Sequence, residues 1–134
     1  MFTDFGPENQ EWNPGDTFAG SIGWKQVTAN EKGRVEMDKT YGDLVSPVGY
    51  ATALIESPDA RMTYLRFAVN DYGRIWINQE PVDEDIIFWE DGLVIFPVWL
   101  HKGNNRILVK TANWSNKWYF ECQIADPDRL LHFD

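Results

Sequence analysis

Between Met62 and Lys110 the chain alternates apolar and polar residues in short runs cut by turn residues, and this pattern constrains the fold more than any other feature. In the run from Met62 to Val69, Leu65, Phe67 and Val69 fall on one side and Tyr64, Arg66 and Ala68 on the other. That is the two-residue period of a half-buried strand. Asn70-Asp71-Tyr72-Gly73 carries an Asp-x-Gly turn signal, which predicts a hairpin into a second strand ending Ile75-Trp76-Ile77-Asn78. Leu100-His101-Lys102-Gly103-Asn104-Asn105 then opens a further strand that ends at Lys110.

Turn clusters punctuate the rest of the chain at similar spacing: Asn13-Pro14-Gly15-Asp16, Asn30-Glu31-Lys32-Gly33, Ser57-Pro58-Asp59 and Asp91-Gly92. The spacing predicts strands near 17–28, 34–38, 48–56, 62–69, 74–78, 93–100, 106–112 and 118–125. No segment holds a 3.6-residue apolar period long enough for a helix, beyond one helical turn expected in the first loop. About eight strands and little helix imply an all-β sandwich or barrel. Pro97 interrupts a strand-like run, because it has no N–H to give to a ladder, and so predicts an edge strand or a bulge. There is no internal repeat and no low-complexity tract.

The stretches Asn70-Asp71-Tyr72-Gly73-Arg74-Ile75-Trp76-Ile77-Asn78, Trp99 to Lys110 and Lys117 to Pro127 together resemble the galactose-binding-like jelly roll, an accessory module of carbohydrate-active proteins. The matching positions are Trp76 and Asn78 on the first strand, then Leu100, Gly103, Asn105 and Lys110. A weaker resemblance reaches back to Phe5-Gly6-Pro7 and Tyr50-Ala51. Gln79 departs from the pattern, since the family usually has Gly after the Asn, and this puts the family's usual turn in doubt. The resemblance implies an antiparallel jelly-roll β-sandwich, a non-catalytic carbohydrate-binding role and, as often in such modules, a structural Ca2+.

The 134 residues suit one domain (1–134), read as a module excised from a larger extracellular, periplasmic or cell-surface protein. Net charge of −9 and a pI near 4.6 argue against nucleic acid or an anionic membrane as partner. No apolar run reaches membrane-span length, and Met1 to Trp12 has neither the basic start nor the apolar stretch of a signal peptide. A neutral oligo- or polysaccharide is the natural ligand class, and a monomer the expected state. The one cysteine, Cys122, alternates in register with Trp118, Phe120 and Ile124 and reads as a core thiol.

An enzyme is not expected. His101 sits in a turn and His132 near the end of the chain, neither with a motif-spaced nucleophile or metal partner. Glycosidases need two carboxylates flanking a cleft, and the sequence pairs none. Asp83, Glu84 and Asp85, followed by Glu90 and Asp91, can offer oxygens to a hard cation such as calcium, with Asp43 and Asp126 as other ligands. The alternative is a solvated loop, since EF-hand spacing is missing.

Seven Trp, five Tyr and eight Phe make up 15% of the chain, more than a core of this size needs, so some rings are expected at the surface. Sugar rings present C–H faces that stack on such rings, while their hydroxyls need aimed polar groups. In the loops, Trp114 lies in the polar segment Asn113-Trp114-Ser115-Asn116 and is the leading contact, with Asn113 and Asn116 beside it. Trp89, Trp24 and Tyr41 follow. On a sheet face, strand parity sets Tyr64, Arg66, Trp76 and Trp99 opposite the apolar sets. Two alternatives remain open at this stage. A structural sandwich that packs against a catalytic domain of the same polypeptide also needs surface rings. The segment Phe18-Ala19-Gly20-Ser21-Ile22-Gly23-Trp24, in which Gly23 directly precedes Trp24 and so only approximates a Gly-x-Trp, resembles the opening of lipocalin-like barrels for small ligands.

Overall fold

The computed structural model describes residues 17–18, 22–23, 30, 34–37, 48–70, 72–82, 92–112 and 119–133. They form eleven strands: β1 Thr17–Phe18, β2 Ile22–Gly23, β3 Arg34–Glu36, β4 Val48–Ser57, β5 Arg61–Asn70, β6 Tyr72–Ile77, β7 Glu80–Pro81, β8 Gly92–Leu100, β9 Gly103–Ala112, β10 Tyr119–Ile124 and β11 His132–Phe133. Two antiparallel sheets dominate, a four-stranded one in the order β3-β10-β5-β8 and a five-stranded one in the order β11-β4-β9-β6-β7. β1 and β2 pair with each other, so the described residues of the 17–28 run form two short strands where a single one was expected. The strands Glu80–Pro81 and His132–Phe133 were not legible, because two-residue strands carry no period.

The all-β sandwich follows from where the alternation puts its apolar residues. Leu65, Phe67 and Val69 of β5, Val98 and Leu100 of β8 and Phe120 of β10 face Ile55 of β4, Ile75 and Ile77 of β6 and Ile107 and Val109 of β9. Burying a side chain of this size contributes about 1.5–3 kcal/mol each, so this layer between the sheets is the main source of stability. Cys122 packs against it, and burial pushes its thiol up to about 12, consistent with the core role expected of it.

One expectation fails at the junction of β5 and β6. The Asp-x-Gly signal predicted a hairpin, but β5 belongs to the four-stranded sheet and β6 to the five-stranded one. A single residue between the two strands is shorter than a two-residue hairpin loop. The chain instead passes from one sheet to the other between β5 and β6, bringing the apolar side of β6 under that of β5. Gly73 is required here: a Cβ at this position would lie 2.7 Å from the Phe67 ring.

Pro97 stands on β8, an edge strand, as its missing N–H demands. The C=O of Tyr64, its partner across the ladder, accepts from Ala125 N on the β10 side at 2.9 Å. Tyr64 and Pro97 are therefore a non-hydrogen-bonded pair, and the proline nitrogen faces the open edge.

Candidate functional site

The outer face of the four-stranded sheet is divided into a charged half and an apolar half. On the charged half, Glu121 of β10 is buried between two arginines, accepting from Arg34 Nε at 2.9 Å and from Arg66 Nη1 at 3.2 Å. Arg34 also lies over the Tyr119 ring, 3.8 Å from its centroid. Both carboxylate oxygens are thus engaged.

The apolar half runs along β5 and β8. Met62 faces Trp99, Tyr64 faces Pro97, Arg66 faces Ile95 and Ala68 faces Leu93. All are non-hydrogen-bonded pairs by the register of Tyr64, the arrangement in which cross-strand side chains approach most closely. Trp99 is 73% exposed and Tyr64 52%, and Met62, Leu93, Ile95 and Pro97 are exposed beside them. Tyr64 is the diagonal neighbour of Trp99, a separation of about 7 Å that two aromatic side chains can bridge. The result is one continuous aromatic and aliphatic surface, bordered by the Arg34–Glu121–Arg66 network, in which two guanidiniums share one carboxylate. The sequence placed Tyr64, Arg66 and Trp99 on one face, and they are found there; Arg66 is held by Glu121 rather than aimed freely at solvent. Leu93, Ile95 and Met62 were not singled out in the sequence; the pairing of β5 with β8 is what joins them to the two rings in one surface.

Trp76 does not belong with them. It lies on the five-stranded sheet, on the face opposite Ile75 and Ile77, and is only 8% exposed. Parity reports which residues avoid the core between the sheets, not whether the far side is covered, and here the far side is covered. Leu108, its cross-strand partner on β9, is buried, and Lys110 on the same face is 1% exposed. The Arg74 guanidinium lies 5.3 Å from the Trp76 ring centroid, and Lys110 Nζ lies 5.4 Å from that of Tyr50. A buried ring of this kind is packing, so Trp76 is removed from the set of exposed contacts.

At the β11 end the same face opens into a hollow of about 320 Å3 lined by Leu54, Glu56, Asn104, His132 and Phe133. His132, near the end of the chain and without a motif-spaced partner in the sequence, is exposed and stands directly across β11–β4 from Glu56. His101 is exposed in its turn, with Nδ1 3.0 Å from the Lys102 carbonyl.

The remaining expectations divide by position. Trp114, Asn113, Asn116, Trp89, Trp24 and Tyr41, and the acidic residues Asp83, Glu84, Asp85 and Asp43, lie outside the described residues. Asp126 is described and is committed as a turn cap: its Oδ1 accepts from the backbone N–H groups of Leu130 and Leu131 at 3.2 and 3.3 Å. Among the described residues, no group of three or more His, Cys, Asp or Glu is arranged to hold a metal ion.

Comparison with protein-family models, with curated proteins and with solved structures finds no match to this chain.

Proposed function

We propose that the protein is a non-catalytic, galactose-binding-like accessory module of jelly-roll type that binds a neutral glycan through the Trp99 and Tyr64 face. The observation that carries this reading is the pair itself: two exposed rings, diagonal on adjacent strands, on a surface without a free carboxylate among the described side chains. Stacking of a sugar's C–H face on each ring contributes on the order of 1 kcal/mol beyond area burial, so binding is weak per ring and strengthened by repetition along a polymer. The Arg34–Glu121–Arg66 group beside the rings has two cations to one anion and so does not repel anions locally, while the −9 charge of the whole chain disfavours polyanionic glycans. The setting expected for such a module is a larger carbohydrate-active protein working outside the cytoplasm.

A second reading draws on the aliphatic residues. Met62, Leu93, Ile95 and Pro97 give a sugar little beyond area, whereas a protein surface buries all four, so the same face can brace a catalytic domain of the same polypeptide. Affinity-gel retention on a panel of neutral polysaccharides separates the two. Retardation that weakens in Trp99→Ala and Tyr64→Ala supports sugar binding, and no retardation on any gel leaves the bracing reading.

A further inference from the structure

The hollow at the β11 end of the five-stranded sheet lies on the sheet opposite the Trp99 face and has a different chemistry. Register sets His132 of β11, Glu56 of β4 and Asn104 of β9 in one row across three adjacent strands. Adjacent strands are about 4.8 Å apart, so an imidazole, a carboxylate and an amide follow one another at the spacing of hydrogen-bonding groups on a sugar ring. All three side chains are exposed. Leu54, two residues before Glu56 on β4 and on the same face, supplies the apolar wall, whereas Phe133 at the rim pairs with Ile55 and turns its ring to the opposite face of the sheet.

We propose that this hollow is a binding site for a short neutral saccharide of one or two pyranose rings, separate from the sheet-face platform. The volume lies at the small end of ligand pockets, which suits one or two rings and not a long chain in cross-section. The Glu56 carboxylate accepts from two neighbouring hydroxyls, Asn104 both donates and accepts, and His132 offers one ring nitrogen in each role. Leu54 packs against the apolar C–H side of the ring. A lone carboxylate repels anionic sugars and selects neutral ones. It is also insufficient for glycoside hydrolysis, which uses a carboxylate on each side of the scissile bond, so the site binds and does not cleave.

The test is chemical-shift mapping of the intact chain titrated with methyl glycosides of glucose, galactose, mannose and xylose and with their disaccharides. The expected result is a saturable shift of the Glu56, Asn104 and His132 signals for at least one sugar. Affinity should fall about tenfold in Glu56→Gln, the loss of a hydrogen bond to a charged acceptor, and clearly in Asn104→Ala. Both positions are exposed, so the fold is preserved, and Trp99→Ala leaves these shifts unchanged. No shift of these three residues with any sugar overturns the proposal, as does binding that both variants leave intact. Neither outcome touches the reading of the Trp99 face, whose own variants test it separately.

Discussion

Asn78 and Asn105 are joined side chain to side chain, Nδ2 of Asn78 donating to Oδ1 of Asn105 at 2.9 Å, and through this bond the turn after β6 is locked to the turn before β9. Asn105 is fully buried. Its Oδ1 also accepts from His101 N, and its Nδ2 lies within reach of the carbonyls of Ile55, His101 and Gly103 at 3.0–3.2 Å. Asn78 Oδ1 accepts from Arg106 N at 2.9 Å. The asparagines that carry the sequence resemblance are thus structural clamps, not ligand contacts.

Removing the clamp is expected to be costly. Asn105→Ala strands several buried backbone groups, each lost partner costing about 1–3 kcal/mol, so urea unfolding should show a loss of about 3 kcal/mol or more. Asn105→Asp should cost at least as much, because a carboxylate cannot donate to the three carbonyls and would be buried as a charge. A loss below about 1 kcal/mol in either variant contradicts the clamp.

Gln79 occupies the left-handed region, with φ 70, directly after Asn78 at φ 51. Both central residues of the β6–β7 turn therefore have positive φ, the type I′ pattern that favours Asn-Gly. The departure from glycine seen in the sequence leaves the turn in place and strained. Gln79→Gly should raise stability by about 1 kcal/mol, read as a higher melting temperature. Gly103, at φ +98, is the converse: Gly103→Ala should destabilise although nothing lies within 4 Å of the added Cβ.

At the sheet-to-sheet crossover, Gly73→Ala forces a Cβ against the Phe67 ring and should cost about 1–3 kcal/mol. In a Phe67→Leu background the added cost of Gly73→Ala should shrink, since the two positions share one space. Additive losses in the double-mutant cycle contradict the contact.

Arg61 holds Asp59 and Asp128 together, with Nε 2.7 Å from Asp59 and Nη1 2.9 Å from Asp128. Hydrogen bonds from the guanidinium lower both carboxyl pKa values below the usual Asp range. A depressed folded-state pKa gives stability that is fully present above the unfolded value of about 3.9 and is lost as pH falls through the lower folded value. Arg61→Ala should thus reduce stability at neutral pH and flatten its decline below about pH 4, with thermal melts across that range as the measurement. Both carboxylates are exposed, so the effect is small and weakens further with salt.

The parts of this molecule that obey a period were legible in the sequence. The Met62-to-Val69 alternation put Leu65, Phe67 and Val69 in the core and left Tyr64 outside, and Pro97 narrowed its strand to an edge or a bulge, of which the edge is found. What failed depends on pairing between distant segments. The Asp71-x-Gly73 signal is the same whether the chain returns along its own sheet or crosses to the other. Trp76 and Trp99 have the same parity relative to their apolar neighbours, yet one is covered and the other open. The Glu56–His132 row exists only because residues far apart in sequence become adjacent strands.

The central claim rests on the Trp99 ring, and the most direct measurement is affinity electrophoresis of the wild type, Trp99→Ala and Trp76→Phe on whichever neutral polysaccharide retards the wild type most. A stacking ring worth on the order of 1 kcal/mol predicts about fivefold weaker retention in Trp99→Ala. Trp76→Phe, a change to a covered ring, should be retained like the wild type. Unchanged retention of Trp99→Ala, or no retention of the wild type on any neutral glycan, contradicts the account.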